Sequence, residues 1–206
     1  MTATVTTLPT GRAATGTQSD SKQELDVQLL TRIAGGNRLA MRVLYARYNQ
    51  RVFRFALRLV DNEALAEDVV SEVFFDVWRK AGTFEGRSQV STWLLGITRN
   101  KALDARKQRS PDGWDEDAAN AVEDPAANPE VEVQKKDTRA VMRKCLAQLS
   151  AAHREIIDLI YYHGKSIEDV AKITGAGQAT VKTRMFYARK HLAELLAGYG
   201  ITTAVA

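Results

Sequence analysis

Cysteine is nearly absent from this chain. Cys145 is the only one in 206 residues, so no disulfide can form within it. The three histidines, His153, His163 and His191, make no metal-ligand spacing with that cysteine, which removes zinc as a staple and leaves no expected cofactor. No run approaches the roughly 18 to 20 apolar residues of a membrane-spanning helix. The amino terminus lacks the basic segment and apolar core of a signal peptide. The expectation is a cytoplasmic chain without membrane insertion. Alternation of strand type is also missing, as are internal repeats, so hydrophobic burial between helices must hold the fold.

What is present is arranged by position. The net charge is only +4, but it is segregated. Between Arg79 and Arg109 stand eight basic residues and two acidic ones, Glu85 and Asp104. From Lys172 to Lys190 there are five basic residues and no acid, while Asp112 to Glu132 carries eight acids and no base. Three of the four prolines, Pro111, Pro125 and Pro129, belong to this acidic stretch. Its composition cannot bury enough surface to offset ordering entropy. It reads as a flexible acidic linker over 111–133. Residues 1–20 read as a disordered tail, leaving folded segments at 21–110 and 134–206.

Both folded segments have helical periodicity. Ser21 with Glu24 reads as a capping box ahead of Leu25, Leu29, Leu30 and Ile33, with Gly35 and Gly36 as the stop. After Asn37, apolar residues from Met41 to Leu59 keep three-four spacing for about five turns. Asn62 can cap a third helix, with acids early, Arg79 and Lys80 late, and Gly82 as the stop. There Ala66, Val69, Val70, Val73 and Val77 already make a core stripe. Phe74, Phe75 and Trp78 add further apolar surface, either enclosed by a small four-helix domain or presented to another protein. A fourth helix runs from about Ser88 or Gln89 to Arg109. Beyond the linker come helices from about Val131 to Leu149 and from Ser150 to Gly164. A short helix capped by Ser166 and Asp169 follows, then a Gly175-Ala176-Gly177 turn and a last helix from Gln178. Buried positions on that helix are expected at Val181, Met185, Ala188, Leu192 and Leu195. The fold class is all-α, two small helical domains, the second a helix-turn-helix.

The recognition helix of such a motif enters the major groove by its amino-terminal end. Lys182, Thr183 and Arg184 occupy its first turns, and Phe186 and Tyr187 sit among cations on a face the core does not claim. This points to DNA. The basic half of the fourth helix follows Phe84, Trp93 and the polar loop Glu85-Gly86-Arg87-Ser88, a combination suited to holding an unstacked strand. Trp93 shares a face with Val90 and Ile97, which favours packing for that ring. Each histidine reads as a surface residue, none paired with a nucleophile, so the chain is expected to be no enzyme and to take no small-molecule substrate. A duplex-binding regulator with a dimerising or sensing module, and a helical adaptor without promoter recognition, remain open at this level.

Certain strings carry a resemblance. These are Leu44-Tyr45-Ala46-Arg47-Tyr48, Ala66 to Phe74 with Val77-Trp78-Arg79, and Phe84 with Ser91-Thr92-Trp93-Leu94 and Arg99-Asn100. Beyond the linker come Leu149-Ser150 with Arg154-Glu155, Thr180-Val181-Lys182-Thr183-Arg184 and Ala188-Arg189. In this order they resemble the extracytoplasmic-function (ECF) sigma factors of bacterial transcription, from about Asn37 to Leu196. The resemblance implies that the first domain binds core RNA polymerase through Asp68, Ser71, Glu72 and Phe75. It implies capture of melted minus-ten DNA by Arg87, Ser88, Asn100, Lys101 and Arg106. Promoter DNA at the minus-thirty-five element would meet Lys182, Thr183, Arg184, Phe186, Tyr187 and Arg189. It further implies an anti-sigma factor as partner and a role in a stress or envelope response. The acidic linker would thread the basic channel that later holds nascent RNA.

Overall fold

The computed structural model describes residues 14–109 and 133–201, with side chains at 21–109 and 139–201. The acidic stretch and the first thirteen residues lie outside the described residues, and with them most of the expected linker and tail.

Eight α-helices order the described chain: α1 (Ala14–Ala34), α2 (Arg38–Val60), α3 (Glu63–Lys80), α4 (Val90–Arg109), α5 (Val133–Ala147), α6 (Ala151–Ile157), α7 (Ile167–Thr174) and α8 (Gln178–Gly198). Local chemistry fixes most of the starts. The Asn37 side chain accepts a hydrogen bond from the Ala40 amide at 2.9 Å, and Asn62 does the same for Leu65 at 2.9 Å. Each satisfies a donor that a helix start leaves unpaired. Between α2 and α3 the chain turns at Asp61, which adopts a left-handed conformation with φ 52° and donates its amide to the Leu57 carbonyl at 2.8 Å.

Two starts and stops differ from expectation. α1 begins at Ala14, so Ser21 lies inside the helix and not at its start. No proline separates the two positions, and once Leu30 and Ile33 anchor the helix in the core, extension adds one backbone bond per residue. Of the expected apolar face, Leu25 stays 52% exposed. α3 ends at Lys80, and Gly82 sits in a 3-10 turn over Ala81–Thr83.

The first four helices enclose one core. Leu30, Ile33, Leu44, Tyr48, Val52, Val69, Val73, Val77, Val90 and Leu94 are all buried in it. Phe74 joins this core and Trp78 packs partly against it, whereas Phe75 does not. At the rim, the buried Asp26 carboxylate accepts from Arg47 and from the Tyr48 hydroxyl. Burial, together with Asp26, pushes the Tyr48 hydroxyl above its ordinary range.

The second lobe starts with α5, whose end is tied down by Arg154. That guanidinium donates to the Leu146, Ala147 and Leu149 carbonyls at 3.1, 2.7 and 3.1 Å, satisfying acceptors a helix end leaves open. Ser150 caps α6 as expected. The segment up to Gly164 is not one α-helix, however: after Ile157 it widens into a π-helical turn over Asp158–Tyr162. The His163 amide reaches back five residues to the Asp158 carbonyl at 3.1 Å. Ser166 and Asp169 form the reciprocal capping box of α7. Gly175, with φ 70°, makes the left-handed turn a side chain would strain. In α8, Val181, Met185, Ala188 and Leu196 are buried, and Leu192 and Leu195 are only partly so.

The two lobes pack directly on one another. Phe55 of α2 and Leu95 of α4, 0% and 1% exposed, belong to the same buried cluster as Leu149, Ile156, Leu159, Val170, Val181 and Ala188. A single helix of the first lobe therefore serves two cores from two faces, Val52 and Ala56 inward, Phe55 outward.

Candidate functional site

Three exposed surfaces hold the residues that the sequence nominates. On α3, Asp68, Ser71, Glu72 and Phe75 are all exposed, while Ala66, Val69, Val70, Val73 and Val77 are buried. Spacing of three and one places the four on a single stripe opposite the core. Phe75 keeps 60% of its surface in solvent, with the Arg79 guanidinium 5.6 Å from its ring centre. Its neighbour Phe74 turns inward and meets Tyr45 edge-on at 4.8 Å. Of the three large aromatics that exceeded a single core's needs, then, one is core, one is partly packed and one is displayed.

The loop before α4 is the second surface. Arg87 is exposed and paired with Glu85 at 2.5 Å; Ser88 is partly buried. Gln23 of α1 braces this loop, accepting from the Val90 amide at 3.1 Å and so capping α4 from another helix. Trp93 and Phe84 rings lie 5.4 Å apart, both packed against the first core. That agrees with packing as the favoured reading of Trp93.

Of the remaining residues nominated for the minus-ten strand, only Asn100 is plainly exposed. Lys101 reaches the other way, to Glu72 at 3.1 Å and Asp76 at 3.7 Å. The Glu72 hydrogen bond and the nearby acids hold the Lys101 ammonium above its usual range against the opposing effect of burial. The Lys80 hydrogen bond leads the influences that hold the Asp76 carboxyl below its own range. Lys101 thus belongs to the α3 face. Arg106 lies sixteen residues beyond Val90, roughly 24 Å along the helix. It donates to the Leu59 carbonyl at 2.7 Å, and burial lowers its pKa. These contacts pin the end of α4 to the end of α2.

The third surface is the amino-terminal half of α8. Lys182, Thr183, Phe186, Tyr187 and Lys190 are exposed, and Arg184 and Arg189 are half-buried. The Phe186 and Tyr187 rings meet edge-on at 5.4 Å. Alongside runs an apolar groove lined by Ile167, Met185, Phe186, Ala193 and Ala197, with the charged residues Lys182, Arg189, Lys190 and Glu194. His153 is partly buried, its pKa lowered by burial and then by His191 and Arg184. His191 is exposed, as expected. His163 is not: it is 6% exposed, edge-on to Phe55 at 5.2 Å, with Nε2 3.3 Å from Asp158. A helix-end histidine looks like a surface residue until the facing lobe is placed over it.

Polar residues between the lobes were not singled out from sequence as an interface. Arg99 pairs with Glu155 at 2.7 Å, and Arg58 with Asp158 at 2.7 Å. Lys165 is 5% exposed and donates to Ser91, Thr92 and Gln89 at 2.6, 2.9 and 3.4 Å. No local signal marks Lys165, because a lysine after a glycine turn reads as solvent-exposed.

Among the described residues there is no group of histidine, cysteine, aspartate and glutamate that could hold a metal ion, and no helix long and apolar enough to cross a membrane.

Comparison with known proteins bears on the whole arrangement. The model of the family Sigma-70 region 2 matches residues 44–111, and that of Sigma-70, region 4 matches 139–192. The chain is 32% identical over 184 residues to the RNA polymerase sigma-H factor of Pseudomonas aeruginosa, a match covering 84% of this chain and 95% of that one. It is 32% identical over 166 residues to the ECF RNA polymerase sigma factor SigL of Mycobacterium tuberculosis, covering 79% and 92%. Among solved structures, CnrH in complex with the cytosolic domain of CnrY shares the fold with a TM-score of 0.62 at 24% identity, covering 84% and 98%. The sigma factor RpoE from Bartonella quintana, in complex with the anti-sigma factor NepR, has a TM-score of 0.60 at 31% identity, covering 76% and 96%. With both regions matched in order and relatives covered nearly end to end, the chain belongs to the ECF sigma factors, which bind core RNA polymerase and direct it to promoters.

Proposed function

We propose that this sigma factor divides its work among the three surfaces described above. The α3 stripe Asp68, Ser71, Glu72 and Phe75 docks on core polymerase, with Lys101 holding Glu72 in place. Arg87, Ser88 and Asn100 receive the melted minus-ten strand, and Arg106 supports them by fixing α4. The exposed residues of α8, Lys182, Thr183, Phe186 and Tyr187, read the minus-thirty-five duplex with Arg184 and Arg189. Residues 21–110 and 134–206 act as the two working domains, joined by the acidic stretch. The factor itself is non-catalytic and works in the cytoplasm beside polymerase. The observation that carries this reading is the α3 stripe: four exposed residues, one of them a largely exposed phenylalanine, on a helix whose other face is fully buried.

An anti-sigma protein is the natural antagonist, as the NepR complex of the RpoE relative suggests. The apolar groove of α8, whose charged lining is three cations to one acid, Glu194, suits an amphipathic, acidic helix from such a partner, and release from it would answer a stress or envelope signal. The test is run-off transcription with core polymerase and a library of randomised promoters. Discrete transcripts that require the chain are expected, together with their loss in a Phe75→Ala, Glu72→Ala variant that still binds duplex DNA. Transcription unaffected by that variant would refute the assignment of the α3 face.

A further inference from the structure

We infer that the cavity between α2 and the π-helical turn is a binding site for a short chain of phosphates, free or at the 5′ end of a nucleotide. Lys22, Arg51 and Arg54 are the groups that would hold it. The inference goes beyond the three surfaces assigned above and rests on none of them.

It starts from an imbalance in the sequence. α2 carries six arginines and no acid in 23 residues. Four of them, Arg47, Arg51, Arg54 and Arg58, stand four, three and four residues apart, which sets them on one face over roughly 17 Å. Like charges at these spacings weaken a helix. The buried face of α2 must hold the helix together, and the cationic face calls for a counter-charge from elsewhere. All four line one cavity of about 490 Å³, and Lys22 of α1 joins them. That volume lies in the range of small-molecule sites.

The chain's own acids answer only the two ends of the row. Arg47 pairs with the buried Asp26, and Arg58 pairs with Asp158 at 2.7 Å while its guanidinium lies 4.0 Å from the centre of the Tyr162 ring. Asp158 is the one acid lining the cavity among the described residues, and its side chain is 3% exposed. In the middle of the row, Arg51 donates to the His163 carbonyl at 2.9 Å, a neutral acceptor that leaves its charge uncompensated. Arg54 and Lys22 are exposed and have no hydrogen-bond or ion-pair partner among the described residues. Three positive charges from two helices therefore share one cavity. His163, in its wall, has a buried Nδ1 with no hydrogen-bond partner among the described residues, the kind of unmet group that a bound water or ion completes.

Phosphate suits these groups better than carboxylate on a peptide. Guanidinium N–H pairs match phosphate oxygens two at a time, and the lysine adds a point charge. A chain of linked phosphates spreads its charge along the row of cations. An acidic α-helix, about 10–12 Å across, would exceed the cavity within two turns.

The test is titration calorimetry on the full-length chain, free of magnesium and at physiological ionic strength, with inorganic tripolyphosphate, ATP and hexaglutamate as probes. Tripolyphosphate is expected to bind and, at a hundredfold excess over its Kd, to raise the melting temperature by roughly 5–10 °C. Arg54→Gln and Lys22→Gln, made singly and together, should each weaken it, the pair by at least about tenfold. Neither side chain has a partner to lose, so both variants should melt no lower than the wild type without the probe. Lys182→Gln with Lys190→Gln, on α8, should leave the affinity within about twofold. ATP binding more tightly than tripolyphosphate would support the site and name a nucleotide as its ligand; equal affinity would support it with the phosphate chain alone recognised. Affinity unchanged in the α1 and α2 variants, or lost equally in the α8 variant, would overturn the site. Hexaglutamate binding as tightly as tripolyphosphate, and losing affinity in the same variants, would overturn phosphate as its ligand and point to an acidic protein segment.

Discussion

Residues that look alike in sequence do different work once placed. Arg106 and Lys182 are both cations in basic segments, but Arg106 is tied to the Leu59 carbonyl and Lys182 is exposed. Arg106→Ala should lower stability by about 1–3 kcal/mol through the lost charge-assisted bond, read as a shift in the urea midpoint. Lys182→Ala should leave that midpoint unmoved and reduce the slope of DNA affinity against salt by about 0.9. A steady salt slope would remove Lys182 from the interface. Lys165 predicts a pH effect of definite sign. Burial, with Arg51 adding and Asp169 opposing, pulls its pKa from 10.5 to about 8. Between those values the unfolded chain holds a proton that the folded chain releases, so raising the pH through that range strengthens the folded state. Tyr48, pushed upward, works in the other direction as pH approaches 10.0. The difference between wild type and Lys165→Met isolates the lysine. Urea midpoints at pH 7.5 and 9.5 should rise more in the wild type than in the variant, and parallel midpoints would contradict the assigned burial.

At the scale of elements, α3 offers the sharpest contrast. Phe74→Ala opens a cavity in the first core and should cost about 3–5 kcal/mol. Phe75→Ala should leave the melting temperature near that of the wild type while weakening polymerase binding in a pull-down titration. Comparable losses of stability from both would mean that the exposed stripe is structural. Helix starts were legible wherever a side chain with the right geometry stood alone: Asn62, Ser150 and Ser166 all cap as their positions suggest, and Asn37, not singled out as a cap, does the same for α2. Ser21 misled because capping needs a break in the helix before it, and nothing local supplies one. The π-helical turn at Asp158–Tyr162 was hidden for a different reason. A one-residue widening barely alters apolar spacing over five residues, and its partner Arg58, paired with Asp158 and 4.0 Å from the centre of the Tyr162 ring, comes from the other lobe.

For the whole molecule, the two-lobe division and the segregation of charge were readable from composition, but the contact between lobes was not. Periodicity places Phe55 on the apolar face of its helix and gives no sign that Leu95, beside Leu94, is buried as well. It does not say that either residue packs on the helices around Ile156 and Val181. Likewise Arg99 and Glu155 belong to strings that mark the resemblance, and only their 2.7 Å pairing shows them bridging the lobes. Joint action of both lobes on one promoter is the central claim, and footprinting tests it most directly. With the chain and core polymerase on a selected promoter, protection should appear at two patches roughly 25 base pairs apart, with unpaired thymines reactive to permanganate only over the downstream one. A single duplex footprint made by the chain alone, unchanged when polymerase is added and without reactive thymines, would contradict it.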